Sequence, residues 1–523
     1  MIVLKKLLLY SAASLFCFHT YAQKGKLEWG DLEKKSRLAP SMNQVLNGQG
    51  SDVITLGFRG SGKTVTPVLT RFDGKLNQLT EKELFASEKD VNFNSLYNLK
   101  GSLVMFTKKY DKDDKFSTFH ATLIDPVTLA VTGTKELGKF DAISKKNQAD
   151  IKISSSPDSG TVLVFANAPY MKNENEKFFI SVWDSKMNKQ WDKMITLPYA
   201  DKYVAVDEFR VSNEGDVYVM CKHYDKETNR ERVKEDGKVV PSYKYKVFIY
   251  GKDGSAPTEH TMDFQSKFVH DVSLQFNADG NILMLGLYNN VYNSNVSGTF
   301  MAMFDKNTKL VNVKKMDPFP MDDLIYMAWK DGCGSHQEKN PGLFSAFKII
   351  GTNKRNDGSL DLITEYNYMY IYRSTSSYGY VEYPVYIARD IVIINYKKDG
   401  KVVYTRVPKS QKQIMTNANI SFKWMNQGNN LLLFYNDTKK NLDRSLSKSP
   451  KSLKKIGSSE FVMAIINEKG ELQRQSVFSN SGMDVVAKIT SCQPISPNTL
   501  IIYAEKDRRI GRTRTQFGSL KFL

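Results

Sequence analysis

The chain has 523 residues, 41% hydrophobic and 12% aromatic, and carries 74 Lys+Arg against 56 Asp+Glu, a net charge of +18. That apolar content is enough for a large core and excludes a disordered chain. The positive balance points to acidic partners, and lysine is spread along the whole length as on an ordinary solvated surface.

The first residues read MIVLKKLLLYSAASLFCFHTYAQ. Lys5 and Lys6 precede an apolar run over 7–18, and Thr20 and Ala22 supply small residues just before Gln23. This is the pattern of a secretory signal peptide over residues 1–22. The run is shorter than the roughly 20 residues a membrane span needs, and Phe16 ahead of Cys17 departs from a lipobox. No later stretch is apolar for long enough to cross a bilayer. The expectation is an extracytoplasmic protein, in the periplasm or on the periplasmic face of the outer membrane, with no transmembrane segment in the mature chain. Nucleic acid is excluded as a partner on compartment grounds. Beyond the signal three cysteines remain, Cys221, Cys333 and Cys492. Their odd number and wide spacing argue against a disulfide framework, with one bridge left open and no pairing favoured.

Residues 57–64 read GFRGSGKT and match the P-loop pattern G-x-x-x-x-G-K-[ST]. A working P-loop opens a helix whose N-terminus binds phosphate. Here the following VTPVLTRFDGKL is β-branched, holds Pro67 and runs into a turn. The stretch reads as a hairpin, and no nucleotide or other cofactor is expected.

A strand–turn–strand pattern then recurs. Copies are IKISSSPDSGTVLVFA from Ile151, FRVSNEGDVYVM from Phe209, VSLQFNADGNILMLG from Val272, FKIIGTNKRNDGSLDLIT from Phe347 and ISFKWMNQGNNLLLFY from Ile420. Looser copies begin at Leu96 and Ile489. Each has alternating apolar residues, an Asn/Asp/Gly turn where positive φ is cheap, and a run apolar on both faces. Each is followed by a second turn between strands, near residues 73, 125, 184, 253, 305, 399 and 469. Four short strands per unit, repeated, predict an all-β fold: a single closed β-propeller over residues 23–523. Eight blades are expected, with seven as the alternative. Residues 486–523 supply three strands of the last blade, and the mature N-terminus, GKLEWGDLEKK, is expected to add the outer one and close the ring.

Two insertions interrupt the pattern, 321–342 (MDDLIYMAWKDGCGSHQEKNPG) and the tyrosine-rich hairpin 366–386 (YNYMYIYRSTSSYGYVEYPVY). Exposed aromatics are enriched where proteins meet, so Tyr370, Tyr372, Tyr378, Tyr380, Tyr383, Tyr386 and Trp329 are candidate partner-binding residues. Two basic clusters, KSPKSLKK over 448–455 and RRIGRTR over 508–514, add Arg508 and Arg509.

Signals for chemistry are weak. SPDSG over 156–160 resembles an Asp-box but sits at an inner turn where a turn role suffices. Cys221-x-His223 and Cys333-x-x-His336 have metal-ligand spacings, yet Cys221 lies in the ordinary strand DVYVMCKHY. His120, His260 and His270 have no evident partners in sequence. No paired carboxylates or G-x-S-x-G stand out, so no catalytic, cofactor-binding or metal residue is assigned.

The pattern KVVYTRVPKSQ…ISFKWMNQGNNLLLFYND…EFVMAIINEKGEL resembles secreted or periplasmic propellers common in Bacteroidetes. The resemblance implies an envelope protein and transfers no catalytic residues. Type IX secretion cargo carries a C-terminal sorting domain, whereas FGSLKFL here reads as a propeller strand. Two functions follow. One is a non-enzymatic scaffold that docks an envelope protein, in its sharpest form a periplasmic subunit of an outer-membrane (type IX) translocon. The alternative is a propeller that binds or cleaves carbohydrate, with Tyr378, Tyr380 and Tyr383 stacking on sugar.

Overall fold

The computed structural model describes residues 25–522, apart from 36–38, 62–63, 86–90, 145, 172, 226–230, 263, 265, 278–279, 305–310, 321–341, 377–378, 447 and 507–512. Among the described residues, eight antiparallel sheets of four or more strands follow one another along the chain, with one small two-stranded ribbon beside them. The fold is a β-propeller. Blades 1 to 7 occupy residues 41–83, 91–148, 150–200, 204–262, 268–318, 347–414 and 423–479. Blade 8 combines residues 486–522 with the N-terminal strands Gly25–Trp29 and Glu33–Lys35, which pair with the last strand, Thr513–Phe522. The outer strand of the last blade therefore comes from the start of the chain, as the sequence predicts.

Six of the seven second turns read from the sequence join the third and fourth strands of blades 1 to 4, 6 and 7, and the one near residue 305 lies outside the described residues. The residues that take positive φ in these turns differ along the chain. Gly254, Gly400 and Gly470 take positive φ in blades 4, 6 and 7, but in blades 1 to 3 the left-handed residues are Leu76, Leu129 and Met187. That conformation costs a non-glycine residue roughly 1–2 kcal/mol. All three side chains are buried in cores shared between blades, and burying such a side chain returns roughly 1.5–3 kcal/mol. Burial outweighs turn propensity here. In the third of these turns Asp184 carries the remaining load by accepting the backbone N–H groups of Lys186 (2.9 Å) and Asn188 (2.8 Å).

The second strands are buried on both faces, as in Ile282–Asn289 and Asn430–Asp437. Their side chains form cores that span adjacent blades, for example Leu163 and Phe165 of blade 3 with Val217 and Val219 of blade 4. The inner strands carry a second device. Bulges interrupt the inner strand at Met42/Gln44, Phe93/Ser95, Val206/Glu208, Val269/Asp271 and Ile349/Gly351. A bulge re-aims the side chains beside it, and here polar ones reach the backbone of the next blade. Gln44 Nε2 donates to Leu96 O (3.2 Å) and Asn94 Nδ2 to Ile151 O (3.2 Å). Glu208 accepts from Leu274 N (2.5 Å) and Asp271 from Ile349 N (2.8 Å). Between blades 6 and 7 the links include Asn353 Nδ2 to Asn426 Oδ1 and Asn426 Nδ2 to Lys354 O, both at 2.7 Å. Inner strands of blades 7 and 8 touch, and that of blade 8 touches blade 1, so the succession of contacts returns to its start.

Trp29, on the N-terminal strand, packs edge-on against Phe478 of blade 7 with ring centroids 5.1 Å apart. Trp29→Ala is expected to lower stability by about 2 kcal/mol, read by chemical denaturation, and removal of residues 25–35 to lower it further. An unchanged denaturation midpoint in both variants would show that the terminal pairing contributes nothing.

Candidate partner-binding site

Four strands per blade return the chain to the end of the sheet it started from, so every blade stands the same way up. The first-to-second and third-to-fourth turns then lie at one end of the ring. The second-to-third connections and the links between blades lie at the other. The connections that hold the candidate segments leave the blades at this second rim. The hairpin 366–386 joins the second and third strands of blade 6, the basic loop 448–455 does so in blade 7, and 508–509 falls between the corresponding strands of blade 8. Segment 321–341 falls between blades 5 and 6. Trp329, Tyr378, Arg508 and Arg509, with Cys333 and His336, lie outside the described residues.

The tyrosine segment is a prolongation of the blade's own strands rather than an inserted loop. Leu360–Ser376 and Gly379–Tyr396 stay paired from Leu360↔Tyr396 out to Ser376↔Gly379. The neighbouring strands stop earlier, at Phe347↔Tyr366 on one side and Val385↔Ile414 on the other. The outer part is thus a two-stranded ribbon standing beyond the sheet. Residues opposite one another share a face. One face carries Tyr368, Tyr370, Tyr372, Tyr383 and Val381; the other carries Met369, Ile371, Pro384, Tyr386 and Tyr380. Tyr380 is 79% exposed, Met369 51%, Ile371 50% and Tyr372 45%. Tyr370, Tyr383 and Tyr386 are half-buried. The rings of Tyr372 and Tyr383, a directly opposed pair, lie 5.2 Å apart. The ribbon does not fold back onto its blade. Met369, Ile371 and, at the ribbon's foot, Ile414 and Met415 are exposed apolar residues that attention to tyrosine alone overlooks. Their signal in the sequence is YNYMYIY, apolar at both parities of a strand.

The foot of the ribbon is fixed by a buried ion pair. Lys409 Nζ donates to Glu365 Oε1 at 2.6 Å with both side chains wholly buried. Glu365 also accepts from Ser421 Oγ (2.8 Å) and from Asn367 Nδ2 (2.9 Å), the first residue of the ribbon. Lys409 is completed by Gln411 Oε1 at 2.9 Å.

The basic loop of blade 7 folds back over blade 6. Leu453 N donates to Ser410 O (2.8 Å) and Arg406 Nη1 to Leu446 O (3.2 Å). Lys448, Lys451, Lys454 and Lys455 remain exposed. Asp437 braces the loop: it accepts from Thr438 N (2.7 Å) and Asn441 Nδ2 (2.9 Å), while Asn441 Oδ1 accepts from Lys451 N (2.8 Å). Burial pushes the Asp437 carboxyl up to about 7, against the pull of these hydrogen bonds and of Lys409 and Arg474. In the second basic cluster Arg514 pairs with Asp484.

The remaining sequence candidates are structural. Val53–Ser61 and Thr64–Phe72 pair as a hairpin out to Ser61↔Thr64, so GFRGSGKT leads into a strand and not a helix. In SPDSG, Ser156 Oγ and Asp158 Oδ1 accept from Gly160 N at 3.2 and 2.9 Å, making a turn. Cys221 and Cys492 are buried free thiols, raised by desolvation, Cys492 to about 12. His223 lies against the Tyr199 ring at 4.3 Å, and His270 Nε2 bonds Phe347 O at 2.8 Å. Among the described residues no three His, Cys, Asp or Glu side chains are grouped to hold a metal ion, and no helix is long and apolar enough to cross a membrane.

No family model and no curated protein matches the chain. Its similarity is to solved structures. A β-propeller domain of the Trilobed protease from Pyrococcus furiosus is 11% identical, with 72% of this chain and 95% of that one covered and a TM-score of 0.33. The WD40 domain of SCAP from fission yeast is 7% identical, with 97% of each chain covered and a TM-score of 0.39. A quinohemoprotein alcohol dehydrogenase from Pseudomonas putida HK5 is 10% identical, with 95% and 76% covered and a TM-score of 0.41. Likeness this distant says nothing about ligand or activity, so the site is argued from its own geometry.

Two outcomes test the supports of the rim. Lys409→Met strands a buried carboxylate and is expected to cost about 3–5 kcal/mol, whereas Lys409→Met with Glu365→Leu recovers most of it; urea denaturation of both reads the difference. Asp437 takes up a proton on folding between its ordinary 3.8 and about 7. Its contribution is therefore fully present below about pH 4 and is lost as pH rises through 7. The melting temperature of Asp437→Asn relative to wild type should rise steadily across that window, and a constant difference would contradict the assignment.

Proposed function

We propose that this chain is a non-enzymatic, protein-binding propeller of the cell envelope, and that the tyrosine ribbon of blade 6 is its main partner-contacting element. The observation that carries the reading is the ribbon itself. It stands clear of the sheet, presents apolar and aromatic side chains on both faces, and has its foot anchored by a buried ion pair. Monomeric proteins rarely leave such surface uncovered, and rigid, amphipathic tyrosines lose little entropy on docking. The envelope location rests on the signal-peptide pattern of residues 1–22. The sharper form, a periplasmic subunit of an outer-membrane type IX translocon, rests on the resemblance to propellers of Bacteroidetes.

The carbohydrate alternative needs two converging carboxylates or a sugar platform. On the ribbon, Glu382 is taken by Arg373 (2.5 Å), which favours docking over catalysis.

The test is gentle detergent extraction of the tagged protein, sizing, and mass spectrometry of what co-elutes, with wild type beside a variant in which residues 368–384 are replaced by a two-residue turn. The wild type should carry a stoichiometric envelope partner that the variant loses while keeping its melting temperature. Tyr372→Ala and Tyr380→Ala should each weaken the complex about ten-fold or more. A wild-type monomer eluting alone from the soluble fraction would sink this reading and direct attention to glycan arrays.

A further inference from the structure

The mode of recognition follows from the backbone of the ribbon. Asn367 N donates to Ala346 O (3.0 Å), on the side of the inner strand Phe347–Lys354. Backbone groups alternate sides along an antiparallel strand, so Met369, Ile371, Arg373 and Thr375 turn their N–H and C=O groups the same way. Pro384 agrees with this phase. It stands opposite Ile371, where no N–H is needed, and its carbonyl accepts from Met415 N (2.8 Å) on the far side. Among the described residues no strand pairs with the Met369–Thr375 side of the ribbon.

Exposed edges are normally blunted by lysine, proline, bulges or shortness. Residues 368–376 contain neither lysine nor proline, their pairing with the partner strand runs without a register shift, and their one charge, Arg373, is paired with Glu382. The opposite edge is blunted, by Pro384 and by the end of the strand Val402–Ile414. One edge is thus kept open and in line with the inner strand of its blade.

We propose that the ribbon binds its partner by strand addition, and that the occupant is an extended partner segment with acidic residues flanking an alternating apolar core. This rests on the partner reading above and adds the chemistry of the bound segment. Charge selects the occupant. At +18 overall, two copies meeting edge to edge would set like charges together. The surroundings are also cationic, with Lys348 and Arg389 exposed at the foot of the ribbon and Lys451, Lys454 and Lys455 exposed on the loop clasped to the same blade. Main-chain bonds would supply the affinity, and alternate side chains on the two apolar faces the selectivity.

The test is fluorescence anisotropy of the whole protein with a labelled peptide of alternating valine and threonine flanked by paired glutamates. Strand addition predicts saturable binding that falls about ten-fold or more when alternate peptide amides are N-methylated or the flanks are changed to lysine. A similar loss is expected in Ile371→Pro, which deletes one outward N–H at a position where an edge tolerates proline. No saturation at millimolar peptide, or equal binding of the N-methylated peptide, would overturn the proposal. A concentration-dependent dimer abolished by Ile371→Pro would assign the edge to a second copy, and tighter peptide binding on deletion of 321–341 would assign it to that segment; either outcome overturns it. If replacing the ribbon removes the envelope partner while Ile371→Pro keeps it, strand addition fails and the partner reading stands.

Discussion

The structure depends on one set of backbone hydrogen bonds, those between the N-terminal strand Gly25–Trp29 and the C-terminal strand Thr513–Phe522. A propeller blade is stable because each sheet buries both faces against its neighbours, and that holds only if no sheet is left incomplete. Without the N-terminal strand, blade 8 would be one strand short and would expose the long edge of its last strand, the situation sheets are built to avoid. The pairing joins residues almost the full chain length apart, and so carries a larger loop-closure cost than a pairing within one blade. Trp29 extends the closure sideways by packing on Phe478, on the outer strand of the preceding blade, which makes the seam a packed joint as well as a hydrogen-bonded one.

The same strand order in each blade has a consequence for function. With each blade starting from the same end, the molecule has one rim of tight turns and one rim of free connections. The tight turns are fixed by conformational requirements and by cores shared between blades, as at Leu129 and Met187, and have little room to vary. The other connections also join the cores, as Val296 and Leu343 do, but they differ widely in length. They account for every long excursion in the sequence, among them the tyrosine ribbon and the basic loop. Functional segments on loops held by a rigid scaffold are a general pattern; here the even number of strands dictates which side they share.

How much of this was legible in the sequence divides along the same line. Most of the first turns and the doubly buried second strands were readable because local chemistry sets them, a glycine at positive φ, as at Gly215, Gly280 and Gly358, followed by a dense apolar run. The left-handed Leu76, Leu129 and Met187 were not, because their reason is burial against a neighbouring blade and no local rule contains it. The inner strand of blade 1, Ser41–Asn47, was not legible, because its apolar residues Met42, Val45 and Leu46 do not alternate in sequence. At the rim the aromatic richness of 366–386 was plain. That the segment prolongs two strands, instead of interrupting them, depends on where the flanking strands stop, and that is a tertiary fact.

The ribbon also explains its own tolerance of exposure. A two-stranded hairpin is marginal in water when it stands alone, yet this one continues two strands already held in a four-stranded sheet, so its register is set before it leaves the blade. Its foot is held by Glu365, whose carboxylate is neutralised by Lys409 and shared with Asn367 and Ser421. A fully buried ion pair is a poor device for raw stability, since desolvating both charges offsets most of their attraction. What it does supply is a fixed geometry, because any displacement of the strand leaves a charge without its partner. Placed where the ribbon leaves the sheet, that geometric demand keeps an exposed apolar element extended and aimed, where an unanchored hairpin of the same composition would collapse onto the nearest apolar surface.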